Sequence, residues 1–491
     1  MHRKRWIAAC AALGVVALGV VALGVVALGG CAPTIHAPEP ADVKAPAWAK
    51  SVQRLDGAQA LPTGAWPQQD WWTGLASAGL DQLMTQALSP ANPRLAEAVD
   101  TVQWAASVST WRAAALGPRL SGQAAVTPLQ FSGNSPLGAL GLGNKLYDSG
   151  DVGLGFTQAL DFWGKYADRL KAALGEQRAA EARLADTRRL LAAAVVHAYL
   201  RWAEAEQQLA STRRLQRLYQ QRQALLRTRR HLGLGTDLSI ADLSLQLQQN
   251  TARLARWQQR AAAARFAVAE LAAIAPDALP LRPVAPASAA IPTLPPHLSL
   301  DLLAHRPDVQ AARALALASV LQTKAARAAF YPDISFSALL DMNSAHLATL
   351  LNPASFAYSF GPALRLPIFT SGALTGRFHG AEAQQAKAVA VYQESILQSV
   401  QQVLTALSGY QHSRQVWQAE AVGTGATREQ EKLTATAQGL GLSDRAAVLQ
   451  RQITLIHQQM TQRLAHYAAL QAWAQLETAL GGGYDQSRQH P

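Results

Sequence analysis

None of the 24 prolines in this 491-residue chain lies between Pro136 and Pro276, and none lies between Pro367 and Pro491. A proline inside a helix costs about 3 kcal/mol. Both tracts are rich in Ala, Leu, Gln, Glu and Arg, all good helix formers, so they predict very long helices. Apolar side chains recur along them at alternating spacings of four and three. In the first tract these are Leu191, Val195, Ala198, Trp202, Ala205 and Leu209; in the second, Leu449, Ile453, Ile456 and Met460. That period marks helices packed side by side as in coiled coils.

Each tract has one internal break. The first is Gly233-Leu234-Gly235-Thr236-Asp237 and the second Gly439-Leu440-Gly441-Leu442-Ser443-Asp444. Glycine followed by Ser, Thr or Asp reads as a helix C-cap feeding a new N-cap. Each tract is therefore expected to form a long helix, a tight turn and a returning helix. Helix over residues 165–232 would extend roughly 100 Å at 1.5 Å per residue. A soluble globular domain has no use for that length.

The chain repeats itself. Pro93 and Pro118 match Pro307 and Pro332 at the same separation, framing Ala-rich helical segments. Farther on, with a slightly smaller offset, Phe162 pairs with Phe369, Gly164 with Gly372, Val195 with Val403, and Gly233-Leu234 with Gly441-Leu442. The expected organisation is a first repeat over residues 70–275, a Pro-rich linker over 276–306, a second repeat over 307–484 and a disordered tail over 485–491.

Between its short helix and its long one, each repeat holds two candidate strands. Val152, Leu154 and Phe156 alternate with Gly153, Gly155 and Thr157. Ile334, Phe336 and Ala338 alternate with Ser335 and Ser337. Tyr358, Phe360, Pro362, Leu364 and Leu366 alternate with Ser359, Gly361, Ala363 and Arg365. The tract Arg119–Phe131 fits less well, because Gly122 and Pro128 interrupt it. Period-two alternation suits a half-buried strand, either at the edge of a soluble sandwich or in a membrane barrel with lipid outside and water within. Four strands cannot close a barrel, and open edges are not tolerated in lipid. In the barrel reading the missing edges come from other copies, and three chains would supply twelve strands.

The N-terminus carries its own signals. Arg3-Lys4-Arg5 precedes an apolar run from Ala8 to Leu28 that ends in Leu28-Gly29-Gly30-Cys31. Basic, apolar, then small residues is the layout of a secretory signal over residues 1–30. The Leu28-Gly29-Gly30-Cys31 ending resembles the bacterial lipobox, which implies cleavage before Cys31 and lipidation of that cysteine. Ala32 follows, rather than Asp, and in such lipoproteins that agrees with sorting to the outer membrane. Residues 31–69, Pro- and Ala-rich from Pro33 onward, read as a lipidated tether.

Composition excludes several classes. At 49% hydrophobic the chain is too apolar for a disordered protein, and it has too few long apolar runs for a multi-span helical membrane protein. Only two cysteines occur, and Cys10 leaves with the signal, so disulfide scaffolds, zinc fingers and iron–sulfur sites fail on ligand count. No metal or cofactor is expected. The formal charge of +12 falls to +9 once Arg3, Lys4 and Arg5 are removed with a leader that holds no acid. That balance by itself is compatible with nucleic acid, an acidic membrane surface or anionic cargo.

Several stretches identify a family. Gln69-Asp70-Trp71-Trp72 with Leu80-Asp81-Gln82-Leu83, Leu294-Pro295-Pro296-His297-Leu298 leading to His305-Arg306-Pro307-Asp308-Val309, and the C-terminal Ala479-Leu480-Gly481-Gly482-Gly483-Tyr484 resemble the TolC-type outer-membrane efflux factors. The lipobox places the chain with their lipoprotein branch, which includes OprM and NodT. Tyr484 stands where Trp is common. The resemblance implies a mainly α fold with a small β part. Duplicated long-helix hairpins would form an α-barrel tunnel, and four strands per chain would contribute to a trimeric twelve-stranded transmembrane barrel. It further implies a homotrimer in the outer membrane of a Gram-negative bacterium, lipid-anchored and extending into the periplasm. A periplasmic adaptor and an inner-membrane pump would drive drugs or toxic metabolites through it.

By the same resemblance, the helix turns form the periplasmic aperture and the adaptor contact: Gly233, Leu234, Asp237 and Asp242 in the first repeat, and Gly441, Leu442, Ser443, Asp444, Arg445 and Gln450 in the second. Relatives place carboxylates one or two turns past the second Gly-Leu, where this chain has Ala447 and Gln450. The expected aperture is held by packing and hydrogen bonds rather than by an acidic ring.

Three rival readings fit the sequence less well. An enzyme lacks support, for the chain has no His-Glu-x-x-His, phosphate loop or Gly-x-Ser-x-Gly elbow. His197, His305 and His379 stand isolated, and the glycine-rich Gly138–Gly143 reads as an exposed loop between strands. A lipid-anchored periplasmic coiled-coil scaffold without a pore would not need the strands. Nucleic-acid binding, raised by Arg227-Thr228-Arg229-Arg230, competes with a solvated helix face, and no nucleic acid is expected.

Overall fold

The computed structural model describes residues 68–280, 282–283 and 306–484. The signal, Cys31, nearly all of the expected tether and linker, His305 and the tail lie outside the described residues. Among the described residues seven helices and four strands follow in order: α1 (Ala78–Ala87), α2 (Pro93–Ala114), β1 (Arg119–Gln130), β2 (Leu146–Leu160), α3 (Lys165–His231), α4 (Asp237–Leu271), α5 (Pro307–Ala328), β3 (Asp333–Ser344), β4 (Phe356–Arg365), α6 (Ala373–Gly439) and α7 (Arg445–Ala479). Short turns of tighter or wider helix stand between some of them. Among the described residues no helix is long and apolar enough to cross a membrane.

The order helix, strand, strand, long helix, returning helix occurs twice, and the helices match in length. Both short helices have 22 residues, both long ones 67 and both returning ones 35. A 67-residue helix is about 100 Å long. The repeats differ within the sheet, where β2 has 15 residues and β4 has 10. That is where the internal offset changes.

The described residues divide into two units. One includes Thr110–Ala172 and Ala318–Lys387 and holds the sheet. Its strands run β1-β2-β3-β4, every pair antiparallel. β1 is regular across Gly122 and Pro128, which the sequence marks as interruptions. It is an edge strand, and a proline that cannot donate to a ladder is tolerated there. Gly138–Leu142 forms one turn of π-helix between β1 and β2. The sheet passes into α3 through Gly164, at φ +73°, and toward α6 through Gly372, at φ +81°. The Asp161 carboxylate caps α3 by accepting from the backbone N–H of Tyr166 and Ala167, at 3.1 and 2.7 Å. Lys165 Nζ reaches Asp333 at 2.6 Å, and Trp163 stacks on Tyr331 with ring centres 4.9 Å apart.

The other unit includes Ala173–Leu317 and Ala388–Pro491. Leu191, Val195, Ala198, Trp202, Ala205 and Leu209 are all buried, as are Leu449, Ile453, Ile456 and Met460. The heptad stripes read from the sequence are therefore the packed faces of the helices. One core cluster gathers Tyr199, Trp202, Val403, Tyr467 and Trp473 against Trp71 and Trp72. The Trp71 and Trp473 rings meet edge to face at 5.5 Å. Burying each such aromatic contributes about 1.5–3 kcal/mol. A second cluster unites Leu215, Tyr219, Leu243, Ile453, Ile456 and Met460.

Arg306, only 1% exposed, explains the His-Arg-Pro-Asp motif. Its guanidinium donates to Asp308, to the Ala479 carbonyl at 2.9 Å and to Gln402 Oε1 at 2.8 Å. One side chain thereby ties the start of α5 to the end of α7 and the middle of α6. Burial works to raise the Asp308 pKa, but the Arg306 hydrogen bond and the charges of Arg306 and Arg189 outweigh it and hold it below the usual range. The terminal glycines are conformationally required. Gly481, Gly482 and Gly483 all have positive φ, and a Cβ on Gly483 would stand 2.3 Å from the Gln68 carbonyl.

Candidate functional site

Two features bear on function, one in each unit. The first is the sheet, whose register sorts side chains by face. Directly paired residues of antiparallel strands point to the same side. Leu120, Phe156, Ala338 and Phe360 form one row, and Gly122, Leu154, Leu340 and Tyr358 the next. Between them, on the opposite face, lies the row Ser121, Gly155, Leu339 and Ser359. The flanking rows of that face are Arg119, Thr157, Ser337, Gly361 and Gln123, Gly153, Asp341, Ala357. One face is thus apolar and the other small or polar, with Leu339 the exception in these rows.

Leu120, Val152, Leu154, Phe336, Leu340, Tyr358 and Phe360 are exposed although apolar. Their aromatic rings pack against one another: Phe156 with Phe336 at 6.4 Å, and Tyr358 stacked on Phe360 at 6.2 Å. No layer of the described residues covers them. On the polar face, Gly153 leaves room for close cross-strand approach, since a Cβ there would stand 2.8 Å from that of Asp341. β1 and β4 each have one ladder edge that pairs with no other strand of the described residues. A contiguous exposed apolar face with two open edges is incompatible with a stable monomer in water.

The second feature is the pair of helix turns. Gly233 lies at φ +72° and Gly441 at φ +74°. The N–H of Gly233 donates to the Arg230 carbonyl and that of Leu234 to Arg229; Gly441 and Leu442 donate likewise to Gln438 and Ala437. Both turns are Schellman motifs. Thr236 then caps α4 by accepting from Ser239 N–H, and Asp444 caps α7 by accepting from Ala447 N–H at 2.7 Å. Leu234 and Leu442 are more than 70% exposed, and Asp242, Arg445 and Gln450 are exposed as well.

The structure adds partners that the turn sequences do not show. Arg230 holds Asp237 at 2.8 Å, and Arg229 reaches across to Asp444 at 2.8 Å. Arg222 donates to Gln450. The Ala447 amide, followed by Arg229, holds the Asp444 carboxyl below its usual range, and the Arg230 hydrogen bond does the same for Asp237. Asp444, Arg445 and Asp242 are legible in the turn sequences, but the pairing of Arg229 with Asp444 is not, because 215 positions separate them. Above these contacts Tyr219 Oη meets His457 Nε2 at 3.1 Å, joining α3 to α7.

Of the other titratable groups, His197 and His466 are half-buried, His379 is exposed and Glu477 is buried. Burial, reinforced by Arg201, pushes His197 down; burial alone does so for His466. His379 is not isolated, for its Nδ1 lies 2.9 Å from Glu382 Oε2. Glu477, 5% exposed, accepts from Trp473 Nε1 at 2.9 Å, and burial pushes its pKa up to about 7. Sequence reading did not single it out, because its burial comes from neighbours on other helices.

Comparison with known proteins bears on both features. A family model described as "Outer membrane efflux protein" matches residues 84–273 and 298–482. The multidrug resistance outer membrane protein MdtP of Escherichia coli K12 is 29% identical over 443 residues, covering 86% of this chain and 88% of MdtP. MdtQ of Escherichia coli O157:H7 is 29% identical over 478 residues, covering 93% and 95%. Among solved structures, the outer membrane protein VceC of Vibrio cholerae aligns with a TM-score of 0.76 at 26% identity, covering 86% of this chain and all of that one. The Campylobacter jejuni CmeC outer membrane channel aligns with a TM-score of 0.78, covering 87% and 90%; at 18% identity it speaks to the fold.

Proposed function

The chain belongs to the outer membrane efflux protein family and is an outer-membrane efflux channel component, and from that premise we propose that three copies close one conduit. The observation that carries the proposal is the four-stranded sheet, apolar and exposed on one face, polar on the other, with β1 and β4 unpaired at its edges. In hydrocarbon every backbone N–H and C=O must be paired, so an open edge cannot persist there. Pairing β1 of one copy with β4 of the next satisfies both edges. Three copies make twelve strands, an even number within the range of membrane barrels. The apolar rows then face lipid and the polar rows face water.

In this reading the hairpins α3–α4 and α6–α7 of three copies enclose a periplasmic tunnel. The turns at Gly233–Asp237 and Gly441–Arg445 form its far end, where a periplasmic adaptor and an inner-membrane pump engage. Cys31, lipidated after removal of residues 1–30, anchors the N-terminus, since each buried methylene contributes about 0.8 kcal/mol. The cargo is the class of small toxic organic molecules, in keeping with the naming of MdtP and MdtQ for multidrug resistance. The protein conducts passively and performs no chemistry. Arg222–Gln450 and Arg229–Asp444 support an aperture held by hydrogen bonds and ion pairs rather than an acidic ring. Divalent cations are accordingly expected to leave conductance unchanged, and micromolar block would refute that detail.

The full-length protein, purified in detergent and added to planar bilayers, is the test. Discrete conductance steps, with a trimer by native mass spectrometry, are expected. A stable monomer that gives no conductance would overturn the reading in favour of a lipid-anchored scaffold.

A further inference from the structure

The two hairpins share their backbone design but not their charge. Residues 207–269 of the first carry eleven arginines against two carboxylates, Asp237 and Asp242. The equivalent residues 415–477 of the second carry five basic and five acidic side chains. Helix lengths and turn geometry are the same in both, so the fold itself gives no reason for the difference. Nor is the excess consumed within the chain. Arg229 and Arg230 are paired with Asp444 and Asp237, whereas Arg213, Arg217 and Arg227 are exposed and have no ion-pair partner among the described residues.

Concentrated like charge repels itself, and over the roughly 8 Å Debye length of physiological salt it builds a local positive field that draws acidic partners. Guanidinium groups also carry a fork of donors that fits a carboxylate with two parallel hydrogen bonds. At the same end of the hairpin, Leu232, Leu234 and Leu238 are exposed, as Leu440 and Leu442 are at the second turn, so charge alone separates the two hairpins. Arginine beside uncovered apolar side chains is the composition of a protein interface, where a conduit wall serving only small ions would have no use for the leucines.

We infer that the first hairpin, and not the second, is a charge-selective docking face for a protein partner whose contacting surface is acidic. The inference rests on the proposed role of this chain as a channel coupled to a periplasmic partner, and it names the chemistry of that contact.

Two full-length variants of equal charge change test it: R213Q/R217Q/R227Q on the first hairpin and R428Q/K432Q/R451Q on the second. The probe is a synthetic helical peptide of glutamate and alanine repeats, titrated against detergent-purified protein at low salt. The first variant is expected to bind about tenfold more weakly, the second within about twofold of the unaltered protein, and rising salt should weaken all three. Equal losses in both variants, or no binding to the unaltered protein, would overturn the inference. So would a shift in reversal potential of the first variant under a salt gradient, because the arginines would then line the conducting path. If the unaltered protein binds the peptide yet never conducts, the channel reading fails and the docking face stands.

Discussion

Replacing Glu477 with glutamine should stabilise the protein at neutral pH and leave it unchanged in acid. Glu477 is 5% exposed in the core between α6 and α7, and its one hydrogen bond comes from Trp473 Nε1 at 2.9 Å. Burial disfavours its charged form more than that bond favours it, and the pKa rises from 4.5 to about 7. In the unfolded chain the group loses its proton near the ordinary value, while in the folded chain it keeps it. Between those limits the folded state binds more protons, so stability falls as pH rises and is lowest above about 7. At about 1.4 kcal/mol per pH unit the whole displacement amounts to roughly 3 kcal/mol per chain. Glutamine keeps the oxygen that accepts from Trp473 and removes the charge. Urea unfolding followed by tryptophan fluorescence, run from pH 4.5 to 8.5 on both proteins, reads the difference directly. The advantage of the variant should grow steadily up to pH 7 and then level. A difference independent of pH, or a variant weaker throughout, would refute the reasoning that Glu477 is a buried acid forced to ionise.

Three further outcomes follow from the geometry. R306M leaves the half-buried Asp308 without its cation and strips donors from Ala479 and Gln402, so a loss of about 2–4 kcal/mol is expected, read as a lower unfolding midpoint; a midpoint unchanged from the parent would contradict the clamp. G483A drives a Cβ onto the Gln68 carbonyl and strains a φ of +81°, which should cost at least about 1–3 kcal/mol and speed proteolysis near residue 68. L340R on the apolar face should cost about 2–4 kcal/mol and block bilayer insertion, whereas S337R on the opposite face should insert and shift the reversal potential toward anions; equal tolerance of both would remove the assignment of faces.

What the sequence determined was everything governed by local period and local backbone chemistry. Missing prolines and a four-three stripe are enough to specify helices of this length, because helix geometry repeats within a turn and one proline would break it. Glycine ahead of Thr or Asp at the two turns is legible for the same reason, since a Schellman cap and an N-cap involve only neighbours in the chain. Strand alternation located the sheet and named its apolar side.

Tertiary structure decided what depends on residues far apart. β1 forms across Gly122 and Pro128 with β2 as its one partner within the chain, and that place in the strand order is not written in its own residues. Arg306 reads as part of a motif, but its partners Gln402 and Ala479 are 96 and 173 positions away. Arg229 with Asp444, Tyr219 with His457, and the burial of Glu477 arise where separate helices meet. Such pairings depend on which helix faces fold together, and a local period carries no record of that choice.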